Sequence, residues 1–347
     1  MSKTRIGVIG YGYWGPNLFR NFVELPECDV VALADRDMDR LAQVERLYPQ
    51  VARTTDYRDL FTMGIDAVSI ATPPVTHFQI ARDCLLHGLH VLVEKPLTLS
   101  SEDAQALITI ANERGLVLMV GHTFEYNPAV RALKEIIDSG ELGQVFTIDA
   151  VRVNLGLFQA HLNVLWDLAP HDLSILRYLL GHDPTSVRAT GADCIVKSVH
   201  DVVYLALTFP DNVLAHVHIS WLHPSKVRQI TVVGSRRMAV YDDVETLEKI
   251  RIYDKGVEVP HRTDTFGDFQ CSYRYGDVTI PNIRLAEPLK LECSHFLECI
   301  RTGATPQSDG RAGLSVVRSL EAADKSLHNN GSVELIQPRA EVKTIAR

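Results

Sequence analysis

The sequence lacks the features that mark several classes of protein. Its six cysteines, spread over 347 residues, form no Cys-x-x-Cys pair, which favours reduced thiols over a disulfide framework. The only close histidine pair is His216 and His218, with no third ligand evident nearby, so we expect no metal site. No run approaches the ~20 apolar residues of a membrane-spanning helix, and the first apolar run is too short for a signal-peptide core. We therefore predict a cytoplasmic protein without a membrane partner.

No segment of the chain carries a large block of charges of one sign. The formal net charge is -8 at pH 7, whereas nucleic-acid-binding proteins usually present a basic face, so we predict no nucleic-acid partner. A few local arginines or lysines could still hold an anionic substrate group. The 46% hydrophobic and 22% charged content is that of a globular protein, and the length predicts two domains.

The amino-terminal third of the chain alternates short apolar runs with longer amphipathic runs. The apolar runs are rich in β-branched residues, which is typical of strands covered on both faces. One amphipathic run begins after Ser100 and ends at Gly115, both usual helix caps. The alternation predicts βαβ units, a parallel sheet and a first domain over residues 1–122. The predicted strands are Arg5–Ile9, Val30–Ala34, Ala67–Ile70, Val91–Glu94 and Val117–Val120.

The pattern changes after about residue 145, where strands follow one another with short turns between them. Such spacing indicates an open, mostly antiparallel sheet in an α+β domain, which we assign to residues 123–347. A helix is predicted over Asp167–Leu180, ended by Gly181, and two closing helices could pack back on the first domain. The segment Lys255–Asn282 has little periodicity and is interpreted as a loop over the site. The predicted fold class is therefore α/β.

A glycine-rich segment, Gly10-Tyr-Gly12-Tyr-Trp-Gly15, joins the first predicted strand to a helix. In such a segment Gly10 permits a tight turn, Gly12 lets a pyrophosphate approach the backbone, and Gly15 lets the helix pack on the sheet. The helix N-terminus offers free N–H groups to the phosphates. The pattern predicts a Rossmann dinucleotide site; a structural glycine turn and a methyl-donor site are the alternatives.

Asp35 ends the second predicted strand, 20 residues after Gly15. An acidic residue at this spacing accepts hydrogen bonds from the adenosine ribose hydroxyls and repels a 2′-phosphate. The sequence therefore predicts NAD as the cofactor, while the neighbouring Arg36 leaves NADP open.

Three further motifs complete an ordered set. They are Ala71-Thr-Pro-Pro74 after the fourth strand, Glu94-Lys-Pro96 after the fifth strand, and Asp167-Leu-Ala-Pro-His171 later in the chain. With the glycine segment, this set resembles the glucose–fructose oxidoreductase / inositol dehydrogenase / MocA family over nearly the whole chain. The sequence looks most similar to members that act on nucleotide-linked sugars.

The resemblance implies a Rossmann domain, followed by a domain whose open sheet often forms dimers or tetramers. It implies catalytic roles for Lys95, Asp167 and His171 and a cis Lys95–Pro96 bond, and it places Glu94 beside the nicotinamide ribose. The resemblance implies no role for Tyr13 and Trp14, which stand between the last two glycines of the first motif. We nevertheless include both among the predicted cofactor contacts. The predicted cofactor contacts are Gly10, Gly12, Tyr13, Trp14, Gly15, Asp35, Arg36, Thr72, Pro73, His77, Glu94 and Lys95.

Substrate contacts are predicted from residue chemistry. Trp166 and Tyr126 could stack on a sugar ring, although large aromatics are more often core residues. Arg152 could hold a phosphate or carboxylate, and a surface arginine is the alternative. Inositol-using members of the family place an acidic contact where this chain has Asp149, Arg152 and Asn154, which argues against inositol. The predicted set is Lys95, Tyr126, Asn127, Arg152, Asn154, Trp166 and His171.

The three catalytic candidates suit removal of hydride from a carbinol carbon. His171, with an ordinary pKa of roughly 6.5, can take the hydroxyl proton. Lys95 can stabilise the oxygen that gains negative charge. Asp167 lies four residues before His171, so it shares a helix face with the imidazole and could orient it or hold a substrate hydroxyl.

Each of these candidates has a simpler interpretation. Because proline is best tolerated in a first helical turn, Pro170 predicts a helix that begins near Asp167, which could then be only an N-cap. His171 could be a buried or capping histidine, and Lys95 could be a solvated surface lysine.

Two functional hypotheses follow. The first is an NAD-dependent oxidoreductase that transfers hydride between nicotinamide and a secondary hydroxyl or keto carbon of a sugar or nucleotide-linked sugar, with C3 favoured; a free polyol or inositol dehydrogenase is a variant. The second is a non-catalytic NAD-binding regulator or scaffold. The presence of all three candidate residues favours the enzyme. We expect a small-molecule sugar substrate and a homodimer or homotetramer.

Overall fold

The structure is a computed structural model that describes residues 3–158, 162–258 and 271–336. The chain divides into two compact units. The first unit consists of Met1–Arg131 and Ile283–Val317, and the second consists of Ala132–Asn282 and Arg318–Arg347. The predicted boundary between residues 122 and 123 stays a prediction.

The first unit is built on a six-stranded parallel sheet. Its strands are β1 (Thr4–Ile9), β2 (Cys28–Ala34), β3 (Ala52–Thr54), β4 (Ala67–Ile70), β5 (His90–Glu94) and β6 (Leu118–Gly121). Their order is β3-β2-β1-β4-β5-β6, which is the arrangement expected of a Rossmann sheet. Every residue of β4 and β6 is buried, as the unbroken apolar runs predicted. Strand β3 was not predicted, because its three residues contain no apolar run.

Helices occupy much of the rest of the described chain. They are α1 (Gly15–Glu24), α2 (Met38–Leu47), α3 (His77–Leu86), α4 (Ser101–Arg114), α5 (Pro128–Asp138), α6 (Val164–Leu180), α7 (Pro288–Thr302) and α8 (Gly310–His328). The predicted caps of α4 are confirmed: the Ser100 side chain accepts the Asp103 N–H, and Gly115 is left-handed with φ 64°. Gly181 ends α6 in the same conformation, with φ 72°.

In the core of the first unit, residues of Met1–Arg131 pack against residues of Ile283–Val317. Phe19 and Phe22 of α1 are fully buried, and the Phe22 ring lies 6.4 Å from the ring of Phe296 in α7. Cys293, one turn before Phe296, is also fully buried. These apolar contacts keep α7 in the same compact unit as the parallel sheet, although the two are far apart in sequence.

The second unit is built on a nine-stranded sheet. Its strands are β7 (Val145–Val153), β8 (Ser186–Ala192), β9 (Val202–Thr208), β10 (Leu214–Ser220), β11 (Val227–Gly234), β12 (Met238–Asp242), β13 (Ile250–Glu258), β14 (Ser272–Thr279) and β15 (Glu334–Leu335). Their order is β14-β13-β12-β11-β7-β10-β9-β8-β15. Among the described strand pairs of this sheet, β7 and β10 are the one pair that runs parallel, so the predicted open, mostly antiparallel sheet is confirmed. Helix α6 packs against β7, β9 and β10.

The interpretation of Lys255–Asn282 as a loop is wrong for two of its parts. Residues 255–258 belong to β13 and residues 272–279 to β14. Strand β14 has almost no buried residue; Tyr273 and Tyr275, for example, are 65% and 78% exposed. Without a buried face there is no apolar alternation for the sequence to display. The remaining residues 259–270 lie outside the described part of the chain.

The start of α6 also differs from its prediction. The helix begins at Val164, and the Asn163 side chain caps it by accepting the Trp166 N–H at 3.2 Å. Pro170 therefore lies in the helix interior and not in its first turn. The alternative that Asp167 is an N-cap is excluded, because Asn163 occupies that position.

Membrane-spanning helices and metal-binding clusters are both absent from the described ranges. Within them no helix has both the length and the apolar character required to cross a membrane. The same residues contain no group of three histidine, cysteine or acidic side chains that could hold a metal ion. All six cysteines are free thiols, and three of them are fully buried.

Candidate active site

The glycine segment connects β1 to α1 and leaves its outer surface bare. Gly10 has φ 95°, and a Cβ there would lie 2.7 Å from the Ala71 carbonyl oxygen. At Gly12 a Cβ would meet only the Arg40 guanidinium, at 3.6 Å, so space for a ligand is open above this backbone. At Gly15 a Cβ would collide with the Gly10 carbonyl. The three glycines therefore fit the roles predicted for a pyrophosphate-binding turn.

The first turn of α1 faces an anion with the positive end of the helix dipole. Trp14 occupies the N-cap position and makes no side-chain cap, and a proline, which has no N–H, stands at the start of the helix. The Asn17 N–H already donates to the Trp14 carbonyl at 2.9 Å, so the helix dipole, more than a set of unused donors, is what this turn offers a phosphate group.

Asp35 directly follows β2, at the same edge of the sheet as the glycine segment. Its carboxylate accepts the N–H of Tyr11 at 2.5 Å and of Asp37 at 2.8 Å, and its side chain is 7% exposed. Arg40 of α2 places Nη1 3.5 Å from this carboxylate. Arg36 is exposed. The sequence analysis missed Arg40 because an arginine five residues after the acid belongs to no motif that it used.

His77 joins the turn after β4 to the turn after β5. One of its ring nitrogens lies 2.8 Å from the Thr72 carbonyl oxygen and the other 2.8 Å from that of Pro96. The side chain is fully buried, and burial lowers the pKa of His77 against the raising effect of the two carbonyl oxygens. A neutral ring has one N–H and donates to one of these carbonyls, whereas a protonated ring donates to both. A direct cofactor contact, as predicted, is not open to a fully buried ring, so we assign His77 the positioning of these two turns. Thr72 and the exposed Pro73 remain at the surface of the first turn.

Strand β5 ends in Glu94, and the next peptide bond, Lys95–Pro96, is cis, as the resemblance implies. The Glu94 carboxylate accepts the Lys95 N–H at 3.3 Å. Burial raises the pKa of Glu94 to about 7, against the lowering effect of the Lys95 charge and of hydrogen bonds from Lys95 and the Trp14 side chain. The structure thus brings together Trp14 from the glycine segment and Glu94 from the strand end.

Two more acids, missed by the sequence analysis, are buried in the first unit. Glu292 of α7 is fully buried and accepts the Thr123 hydroxyl at 2.7 Å, and Glu125 is 1% exposed. Burial and the nearby Glu94 carboxylate raise the pKa of Glu292 well above its usual range. No local signal marks Glu292, because it lies in an amphipathic helix where an acidic residue is ordinarily solvated.

In the second unit, Asp167 and His171 lie one turn apart on α6. The indole N–H of Trp221, which follows β10, donates to the Asp167 carboxylate at 3.0 Å. A spacing of four residues places Asp167 and His171 on one face of the helix. The indole therefore fixes the position of a carboxylate beside the imidazole.

Arg152 does not fit its predicted role as a phosphate ligand. Its side chain is 4% exposed, and Nε and Nη2 donate to the two carboxylate oxygens of Asp172 at 2.7 and 3.0 Å. This bidentate pair already uses the face of the guanidinium that would grip an anion. The prediction is corrected to a buried structural ion pair; the partner acid, next to His171 in sequence, gave no signal because the pair joins a strand to a helix.

The other predicted substrate residues have varied surroundings. The Tyr126 ring is fully buried, with its hydroxyl 3.1 Å from the Ser308 hydroxyl, so stacking on a ligand is not open to it. Asn127 accepts the Ala129 N–H at 2.9 Å as α5 begins. Asn154 and Trp166 are half-buried. Substrate contacts from the last three residues stay predictions.

Matches to known proteins agree with these observations. Residues 4–122 match the oxidoreductase family with an NAD-binding Rossmann fold, and residues 130–240 match the GFO/IDH/MocA C-terminal domain. The NAD-binding match confirms the predicted cofactor.

Individual relatives were found by sequence and by structure. The chain is 30% identical to UDP-N-acetylglucosamine 3-dehydrogenase of Acidithiobacillus ferrooxidans over 264 residues, which are 74% of this chain and 79% of that protein. It is 29% identical to scyllo-inositol 2-dehydrogenase (NAD(+)) of Bacillus subtilis over an alignment of 352 positions, which covers 97% of this chain and 98% of that protein. The solved structure of the Acidithiobacillus ferrooxidans enzyme matches with a TM-score of 0.79 at 26% identity, covering 96% of this chain and 100% of that one.

Proposed function

Because the chain belongs to the GFO/IDH/MocA oxidoreductase family, we propose that it oxidises a secondary hydroxyl of a sugar or nucleotide-linked sugar, with C3 favoured, and passes the hydride to NAD. The protein is an NAD-binding oxidoreductase that acts on CH–OH groups, as predicted. Reduction of a keto sugar by NADH is the same reaction in reverse and uses the same residues.

One observation carries this proposal: four turns at the carboxyl edge of the parallel sheet bear all the groups that the reaction requires from the first unit. The turn after β1 has the bare glycine backbone, the turn after β2 has Asp35, and the turn after β5 has Glu94 and Lys95. The turn after β4 is tied to the turn after β5 by His77. Ligands bind at this edge in open α/β sheets. Bound NAD supplies the hydride acceptor, and Lys95 supplies a cation for the substrate oxygen.

We assign the proton transfer to His171 and its positioning to Asp167. A neutral imidazole can take the hydroxyl proton as the hydride leaves the same carbon. Asp167, held by the Trp221 indole at 3.0 Å, shares the helix face of His171 and would favour the imidazolium form that results. Lys95 of the first unit and Asp167 and His171 of the second unit are thus each proposed to have a role in the transfer.

Similarity to the UDP-N-acetylglucosamine 3-dehydrogenase supports a nucleotide-linked sugar and C3 as the reacting carbon. The Asp149, Arg152 and Asn154 residues of this chain, where inositol-using members place an acidic contact, argue against inositol. Because Arg152 is paired with Asp172, another cation would have to hold a substrate diphosphate.

A panel of free sugars, polyols and nucleotide sugars, assayed with NAD by the absorbance of NADH, tests the proposal. We expect turnover with at least one sugar or nucleotide sugar and none when Lys95 is replaced by alanine. Measurable NAD binding with no turnover on any member of the panel would favour the non-catalytic regulator instead.

A further inference from the structure

Two carboxylates of the first unit, those of the half-buried Glu94 and the fully buried Glu292, stand on either side of one short segment of chain. Glu94, the last residue of β5, faces Gly121 of β6, where an added Cβ would lie 3.1 Å from the carboxylate oxygens. Two residues later, the Thr123 hydroxyl donates to Glu292 of α7. In both acids Oε1 is shielded from solvent and has no hydrogen-bond partner among the described residues. The segment 121–123 therefore links two poorly solvated acids.

These surroundings cannot support two negative charges equally well. A buried ionised carboxylate requires donors or a nearby cation, and two such carboxylates disfavour each other's charge. Glu94 has the Lys95 N–H, the Lys95 charge and a hydrogen bond from Trp14. Glu292 accepts the Thr123 hydroxyl and feels the repulsion of the Glu94 and Glu125 carboxylates. The charge is therefore better stabilised on Glu94.

Other titratable groups face this pair. The groups around Glu94 are the Lys95 ammonium and the Glu292 carboxyl, and those around Glu292 are the carboxyls of Glu94 and Glu125, the Tyr126 phenol and the Cys293 thiol. His122 lies between Gly121 and Thr123 and is 1% exposed. Burial raises the pKa of Tyr126 and of Cys293, so both stay neutral near pH 7. Among the described groups named here, the Lys95 ammonium is the cation that lowers the pKa of Glu94.

We infer that Glu292 is a neutral carboxylic acid at neutral pH, that the single negative charge of the pair resides on Glu94, and that this charge makes the site prefer the cationic, oxidised nicotinamide over the uncharged, reduced ring. The inference rests on the proposed function and on the position beside the nicotinamide ribose that the family resemblance implies for Glu94. Glu292 is in these terms a positioning residue, since it acts through Glu94 and touches neither cofactor nor substrate.

A measurable consequence concerns the proton on Glu94. Burial raises the pKa of Glu94 to about 7, so near that pH part of the protein carries a protonated Glu94. A cationic ring beside the carboxylate favours its ionised form. Binding of NAD⁺ should then break the Glu94 O–H bond and release the proton to the buffer, whereas binding of NADH should release none.

The test is calorimetric titration of the intact protein with NAD⁺ and with NADH at pH 7, in two buffers that differ in ionisation enthalpy. We expect a fraction of a proton released with NAD⁺ and none with NADH. Glu94→Gln should abolish the release and reduce the preference for NAD⁺ over NADH roughly tenfold. Glu292→Gln should change the proton release and the preference for NAD⁺ over NADH by no more than about twofold, because an amide replaces an acid that is already neutral.

A matched control and an infrared measurement complete the design. Glu298, also on α7, is 60% exposed and lies 3.8 Å from His295, so Glu298→Gln should behave as the unaltered protein. In the complex with NAD⁺, where Glu94 is ionised, the infrared band of a protonated carboxyl group should persist in the unaltered protein and in Glu298→Gln and should disappear in Glu292→Gln.

Three results would overturn the inference. They are proton release that survives Glu94→Gln, an infrared band of a protonated carboxyl group that survives Glu292→Gln in the complex with NAD⁺, and an unchanged cofactor preference in Glu94→Gln. Failure of the unaltered protein to bind either nucleotide would overturn the proposed function together with the electrostatic role of Glu94. The infrared band of the intact protein requires no variant to fold, and its absence at neutral pH would by itself refute a neutral Glu292.

Discussion

The two units carry their polar groups in different ways. In the first unit, the glycine segment, Asp35 and Lys95 lie in turns that directly follow parallel strands, so their positions depend on local sequence. In the second unit, the polar groups are fixed by partners far along the chain, as with Arg152 on Asp172 and Asp167 on Trp221. Residues that end strands can therefore be recognised together with their surroundings, whereas the distant partners that fix Arg152 and Asp167 leave no local signal in the sequence.

The largest effect is expected from a variant of the second unit. Arg152→Ala would leave the buried Asp172 carboxylate without its cation, and we expect the free energy of unfolding to fall by about 3–5 kcal/mol. Denaturant titration measures this free energy of unfolding. As a control, Arg237→Ala at the more exposed pair with Glu141 should cost about 1 kcal/mol or less. If Arg152→Ala left the stability unchanged and weakened substrate binding, Arg152 would be a ligand of a substrate phosphate, as the sequence predicted.

The next effect concerns a variant of the first unit. Lys95→Ala should lower kcat by about 10²–10³ by removing the cation that stabilises the substrate oxygen, while the Kd for NAD should change by no more than about threefold. Steady-state kinetics and cofactor titration separate the two quantities. Lys197, which is 91% exposed, provides the control Lys197→Ala. A large loss of NAD affinity would show that Lys95 serves the cofactor and not the chemistry.

A smaller effect is expected from Asp35→Ser. Loss of a charged acceptor for the ribose hydroxyls should weaken NAD binding about tenfold or more, and loss of the negative charge should improve NADP relative to NAD. Fluorescence titration with both cofactors gives the ratio, and the exposed Asp39→Ser is the control. An unchanged ratio would mean that Arg40 or another residue determines the preference.

The smallest effect is a pH dependence of stability. The pKa of Glu94 rises from its usual 4.5 to about 7 on folding, so between these values the folded chain binds more protons than the unfolded chain. The free energy of unfolding should therefore fall as pH rises through this window, by on the order of 1 kcal/mol or more. Glu94→Gln should remove this part of the slope, and Glu298→Gln should not. A slope of the same size in Glu94→Gln would assign it to other groups.

The sequence predicted five strands of the parallel sheet, the glycine segment and the caps of α4, because each is marked by neighbouring residues. It did not predict α5, β14 or the pairing of Arg152. Strand β14 is exposed on both faces, and Arg152 reaches Asp172 only after β7 and α6 have packed. The buried Glu292 was missed for the same reason, since its burial follows from the packing of α7 in the first unit.

The most direct test of the central claim follows one hydrogen atom. The protein would be incubated with NAD⁺ and a panel of sugars and nucleotide sugars that carry deuterium on their secondary carbinol carbons, and the NADH formed would be analysed by mass spectrometry. We predict that deuterium reaches the nicotinamide ring from at least one member of the panel, and that the transfer is lost in Lys95→Ala and in His171→Ala. Bound NAD that acquires no deuterium from any member would contradict the account.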